Sequence, residues 1–166
     1  MEASSQVDQG AARLVAESPL GAELSPAQHA SLGALAGVRH LRAGEYLIEE
    51  GARDDSLHVV IAGAFEVVRQ AGVGEVTSLG VLRPRDLAGE MSFVDGTEHQ
   101  VGLRALSDGD VLSLRRADFE KLLPADPELV YKTMRNIIRA AHERLRRMNL
   151  QYIELSNYIF KQHGRY

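Results

Sequence analysis

The residues with the clearest chemical potential form one run, Asp86-Leu87-Ala88-Gly89-Glu90-Met91-Ser92. A glycine that opens a short helical turn leaves backbone N–H groups free to cradle an anion. A carboxylate beside such a nest repels a phosphate unless it points elsewhere. Glu90 fits if it accepts hydrogen bonds from sugar hydroxyls, so the local chemistry suggests a site for a phosphorylated sugar. A second reading stays open, in which Gly89-Glu90 is a helix N-terminus carrying an acid that the helix dipole favours. The histidines are the other candidates: His29, His40, His58, His99, His142 and His163. None forms the His-x-His pair of a barrel-type metal site, and only His58 and His99 fall on or near expected strands. A Ser/His/Asp order and a nucleotide-hydrolysing Gly-Lys loop are both missing. No catalytic residue, metal ligand or resident cofactor is therefore assigned, and the chain is expected not to be an enzyme.

The bulk properties narrow the field further. The chain has 166 residues, long enough for one domain with an extension. It has no cysteine, which excludes disulfides, thiolate metal sites and cysteine nucleophiles. A net charge of −4 offers no nucleic-acid footprint. No apolar run approaches the roughly 18 residues of a membrane span, and the N-terminus lacks the pattern of a secretory signal. The expected location is the cytoplasm.

Two kinds of element must position the run. Segments 38–42, 45–50, 57–63, 64–70, 75–82, 100–106 and 110–116 are short and rich in Val, Leu and Ile, with Gly- and Asp-containing turns between them. Many short strands at regular spacing predict an antiparallel barrel or sandwich. Leu87 to Gly96 interrupts the series, too rich in small residues for a strand and too short for a full helix. Helices flank the strands. Ala11 to Ala22 has weak helical spacing, and Ser25-Pro26 starts a helix that ends near Gly37. Ala117 to Leu123 is a short helix, and Pro127 opens a long one reaching about Phe160.

Along the long helix, Ile138, Ala141, Leu145, Met148, Tyr152, Leu155 and Ile159 recur at alternating spacings of three and four. This is a coiled-coil repeat. It favours self-association over packing of the whole stripe on the chain's own barrel, because the alternation is strict rather than a broad helical face. Arg144, Arg146 and Arg147 read as a solvated flank of that helix.

Three segments together carry a resemblance: 43–69 (AGEYLIEEGARDDSLHVVIAGAFEVVR), 82–108 (LRPRDLAGEMSFVDGTEHQVGLRALSD) and 117–130 (ADFEKLLPADPELV). In order and spacing they resemble the cyclic-nucleotide-binding domains of catabolite activator proteins, gated channels and kinase regulatory subunits. The resemblance runs from about Leu20 to Met148. It implies a β-roll flanked by helices, with a phosphate-binding cassette between two strands. Gly89 matches the cassette glycine, Glu90 the ribose-binding glutamate and Ser92 the following small residue, with Met91 between them. The family's phosphate-pairing arginine falls on His99, and the small residue after it on Gln100. A family glycine falls on Arg85, and a family aromatic on Ala88. Arginine is a planar, always-charged fork for phosphate, whereas histidine carries at most one titrating charge. Losing a buried ionic partner costs about 2–5 kcal/mol. Arg83, Arg85 and Arg104 are candidates to compensate, although Arg104 matches an arginine outside the phosphate site. The contact that closes over the base falls near Arg144 and Leu145.

The expectations are therefore a mainly β fold with flanking helices, an antiparallel β-roll of jelly-roll type. Residues 1–10 are a disordered terminus, 11–126 the roll with its N-terminal helices, and 127–166 a dimerisation helix. Candidate ligand-binding residues are Gly89, Glu90, Met91, Ser92, His99 and Gln100. Three outcomes compete at the cassette: a weakly held cyclic mononucleotide, another nucleotide or anion, or a vestigial pocket in a protein-interaction module. Only six residues follow Phe160, with no room for a helix-turn-helix. A homodimeric bacterial sensor or adaptor that signals through a protein partner is expected, with no direct DNA or membrane binding. The alternatives are a ligand-free adaptor and a fragment of a larger transcription regulator.

Overall fold

The computed structural model describes residues 2–72 and 74–163, with side chains over 10–159 except 73. Met1, Val73, residues 164–166 and the His163 side chain lie outside that description. The first helix, α1, spans Glu2–Glu17, so helix begins well before Ala11, in residues expected to be a disordered terminus. A 3-10 turn (Pro19–Gly21) follows, capped by the Ser18 hydroxyl. Helix α2 covers Pro26–Gly33, shorter than expected. Its N-terminus is the anticipated Ser25, in a capping box with Gln28.

The strands are β1 (Ala36–Leu41), β2 (Tyr46–Ile48), β3 (Ser56–Ala62), β4 (Phe65–Gly72), β5 (Glu75–Leu82), β6 (Leu87–Ala88), β7 (Gly102–Ala105) and β8 (Gly109–Arg115). They form two antiparallel four-stranded sheets, ordered β1-β8-β3-β6 and β2-β7-β4-β5. This is the expected β-roll. The β6 strand corrects the sequence reading: Leu87 and Ala88 pair with Val59 and His58, within a run too rich in small residues to read as a strand.

Two apolar cores explain the patterning. Val60, Phe65, Val67, Leu103 and Val111 fill the space between the sheets. Leu57, Val59, Leu112 and Leu114 face the other way, onto α1, α2 and the later helices. Strands β3 and β8 are thus covered on both faces, which is why they read as apolar runs rather than clean alternation.

After β8 come α4 (Arg116–Phe119), a 3-10 turn (Glu120–Leu122) and α5 (Pro127–His163). At 37 residues, α5 is about 55 Å long. Asp126 caps it, accepting from the Leu129 amide at 2.9 Å and from Gln28 on α2 at 3.2 Å. Its first half is docked: Leu129, Val130, Thr133, Asn136 and Ile137 are buried. The Asn136 amide donates to the Leu20 and Ala22 carbonyls at 2.9 and 2.7 Å. Arg135 and Arg139 both pair with Glu23. The second half passes the mouth of the roll.

Candidate functional site

The segment before the cassette folds as a tight turn over Arg83 to Asp86. The Asp86 amide donates to the Arg83 carbonyl, and the Asp86 carboxylate accepts from the Arg83 amide, both at 2.9 Å. Arg85 sits at φ 80°, a left-handed conformation that costs any residue with a side chain. This accounts for the glycine that the resemblance places there.

After β6 the chain turns at Gly89, with φ 78°. A Cβ there would lie 2.5 Å from the Ser56 carbonyl oxygen, so glycine is required both by conformation and by space. Helix α3 (Glu90–Asp95) follows. Its anchor is Phe93, buried against Phe119 with ring centroids 5.5 Å apart. The segment from Leu87 is therefore two residues of strand, one of turn and six of helix, a composite of the two elements that the sequence reading sets aside as single ones.

A cleft of about 790 Å³ opens between this cassette, the roll and α5. All six candidate residues line it: Gly89, Glu90, Met91, Ser92, His99 and Gln100. They do not play equal parts. The Glu90 side chain is 17% exposed and meets Arg144 of α5, with Nη1 3.4 Å from its Oε1. Arg144 also reaches the Leu87 carbonyl, at 3.5 Å. One turn further along α5, Arg147 pairs with Asp86 at 2.9 Å. Two arginines of the helix thus meet two carboxylates of the cassette. The solvated-flank reading is corrected for Arg144, which is only 29% exposed, and holds for Arg146 and Arg147, whose side chains stay more than half exposed while pairing with Glu143 and Asp86.

Ser92 and His99 turn inward. The Ser92 hydroxyl donates to the Asp54 carbonyl at 3.0 Å, and His99 Nε2 lies 3.0 Å from the same oxygen. Met91 is exposed, and so is Gln100. The arginines proposed to compensate for the missing one are engaged elsewhere. Arg85 donates to the Glu17 carbonyl of α1 at 2.8 Å, and Arg104 pairs with Glu66 at 2.8 Å. Arg83 borders a neighbouring groove rather than this cleft.

Sequence reasoning missed Asp54. Its carbonyl joins the cassette serine to His99, and its carboxylate lies 3.5 Å from Nε2 of the fully buried His58. The His58 imidazole beside it holds the Asp54 carboxyl well below the usual carboxylate range, against the opposing effect of burial. His58 in turn meets the Ser113 hydroxyl at 2.8 Å and packs behind the position where a Gly89 Cβ would sit. No motif signals a backbone carbonyl as a hub. The stripe on α5 also divides unexpectedly. Ile138, Ala141, Leu145 and Met148 line the cleft, so this half of the repeat faces the chain's own roll.

Among the described residues, no group of three or more His, Cys, Asp or Glu could hold a metal ion. No helix among them is long and apolar enough to cross a membrane.

The family model for the cyclic nucleotide-binding domain matches residues 38–126, and the chain belongs to that family. Such domains are typically regulatory and non-catalytic. The cyclic AMP receptor protein of Thermus thermophilus is 28% identical over 113 residues, 68% of this chain and 50% of that protein. The N-terminal domain of a transcriptional regulator from Streptomyces coelicolor A3(2) is 31% identical, with a TM-score of 0.66, covering 82% of this chain and 94% of the other. A cyclic nucleotide-binding domain from Methylobacillus flagellatus KT shares the fold at a TM-score of 0.77 and 19% identity, covering 90% and 84%. The chain spans between a tenth and a half of the length of the curated relatives it matches.

Proposed function

We propose that this protein is a non-enzymatic regulatory module that holds a small ligand in the cleft between cassette and α5 and passes the event on through α5. The observation that carries this reading is the contact of Glu90 and Asp86 with Arg144 and Arg147. Hydroxyls that engage Glu90 compete with Arg144, so a ligand changes the interactions of the helix directly. That difference in contact is what any coupled shift requires. Gly89, Glu90, Met91, Ser92, His99 and Gln100 are the proposed ligand-contacting residues, Met91 and Gln100 at the open rim.

The proposed output is a homodimer through the part of α5 beyond the cleft, acting on a protein partner in the bacterial cytoplasm. Tyr152 and Leu155 are 72% and 57% exposed there, and they continue the coiled-coil spacing. No direct contact with DNA or membrane is proposed. The test is amide hydrogen exchange over residues 141–148 with cyclic AMP, cyclic GMP, adenosine and guanosine added in turn. A ligand that alters exchange there in wild type and not in Glu90→Ala supports the reading.

The second reading is a ligand-free adaptor that keeps the fold. The substitution of His99 for arginine, with its ring turned to Asp54, favours it. A dimer that shows no thermal shift with any of the four compounds is the outcome this reading expects.

A further inference from the structure

Of the two residues that the resemblance sets against a cyclic nucleotide's phosphate and ribose, the first position holds His99 and the second holds Glu90. Glu90 is a mostly buried carboxylate aimed into the cleft, and its contact with Arg144, at 3.4 Å, is too long for a strong hydrogen bond. It can accept from two hydroxyls on neighbouring carbons. The position that the resemblance gives to a phosphate-pairing arginine holds His99, which is 8% exposed. Its Nε2 lies 3.0 Å from the Asp54 carbonyl oxygen. A carbonyl only accepts, so Nε2 carries the hydrogen and spends it there; in the imidazole form Nδ1 then offers only a lone pair. Ser92 spends its hydroxyl hydrogen on the same carbonyl. Both polar side chains of the former phosphate wall are thus committed away from the cleft. Besides the exposed His142 on α5, the remaining charged groups on its lining are Glu90 and Glu98 against Arg144, which leaves no arginine or lysine unmatched. Backbone amides of the first turn of α3 can bond an oxygen but do not neutralise a charge. An anion would enter with its desolvation cost unmet, and a neutral molecule avoids that cost.

The rest of the lining is apolar. Val67 and Leu103 belong to the roll; Ile138, Leu145 and Met148 belong to α5 and are each more than half exposed. A flat aromatic group between these two walls would bury surface on both.

We infer that the cleft selects an uncharged ribonucleoside, a planar base with a free vicinal diol, over the corresponding cyclic phosphate. The inference rests on the ligand-binding reading above and specifies the ligand class. Calorimetric titration of the intact chain at pH 8 with adenosine, guanosine, cyclic AMP and cyclic GMP tests it. The expected result is that at least one nucleoside binds about 10-fold or more tightly than its own cyclic phosphate. Glu90→Gln should weaken that nucleoside, and His99→Arg should raise cyclic-nucleotide affinity about 30-fold or more, reversing the order. The comparison of ligands in wild type needs no variant, so a failure of His99→Arg to fold leaves the inference exposed to disproof. A cyclic nucleotide bound more tightly than its nucleoside by wild type overturns the inference and leaves the sensor reading standing. Binding of none of the four by wild type overturns both.

Discussion

Replacing arginine by histidine at position 99 changes what the cleft can hold because of where the ring is tied. A histidine free to face the ligand would offer one N–H. Here that N–H is spent on the Asp54 carbonyl, 3.0 Å away. Asp54 is thus a positioning residue for the cassette through its backbone, while its carboxylate is held ionised by His58. An unfolded aspartate titrates near 4, and the folded value lies below this. The stabilising charge is therefore complete at neutral pH and fades as the pH falls below about 4. Asp54→Asn should be less stable than wild type at pH 7, and denaturant melts should show the gap narrowing toward pH 3. A gap constant across that range would remove His58–Asp54 from the account. Arg85 makes a second residue-level prediction. Its left-handed backbone costs about 1–2 kcal/mol, while its bond to Glu17 is solvent-exposed and worth about 1 kcal/mol. Arg85→Ala keeps the strain and loses the bond, whereas Arg85→Gly loses both. The glycine variant should be the more stable of the two by about 1 kcal/mol in chemical denaturation, and equal stabilities would mean that the backbone is not strained.

At the scale of elements, α5 is one helix doing three jobs along its length. The stretch 129–139 is a structural clasp, the stretch 138–148 walls the cleft, and the remainder extends past the roll. The clasp depends on Asn136, whose amide satisfies two carbonyls of the 3-10 turn and its exit. Removing it leaves buried acceptors unpaired, at about 1–3 kcal/mol. Asn136→Ala should lower the unfolding free energy by that amount, read as a lower denaturation midpoint without a change in slope, and a loss below about 0.5 kcal/mol would show that the clasp is redundant. The cassette depends on a different device: α3 is too short to be stable alone, and Phe93 pins it to Phe119. The two arginine–carboxylate pairs, one turn apart along α5, then join cassette to helix. They are partly exposed pairs, worth little in stability, and on the proposed reading they link two elements whose contact a bound ligand changes.

For the whole molecule, the question is how a stripe that begins inside the cleft can also serve a second copy. The inner residues Ile138, Leu145 and Met148 face the roll yet remain half exposed, and Tyr152 and Leu155 lie past it. In the proposed dimer a partner helix would meet the outer part alone or the whole stripe, and only the second arrangement would close the cleft. Leu155→Asp tests the dimer without touching the cleft. Sedimentation at micromolar concentration should give a dimer for wild type and a monomer for the variant, with small-molecule binding unchanged. A monomeric wild type would sink the proposed dimer, and a dimeric variant would move the interface elsewhere.

The sequence by itself determined the two sheets, the placement of the cassette and the start of α5, for local reasons. Strand length and turn residues are written in consecutive positions, Ser25 and Pro26 mark a helix start, and Gly89 marks a backbone turn that no other residue fits. Position 85 was readable as a place for glycine, and its positive φ agrees. The start of α1 at Glu2 was hidden because its first residues are polar and carry no apolar period. Strand β6 was hidden because a two-residue stretch is too short to show an alternating pattern and pairs only where β3 offers a free edge. Tertiary structure alone decided what the polar groups do. Whether His99 faces the ligand or a carbonyl, and whether Arg144 faces water or Glu90, depends on residues 45 and 54 positions away. A side chain's partner across the fold is set by how the elements pack, and no spacing along the chain encodes it.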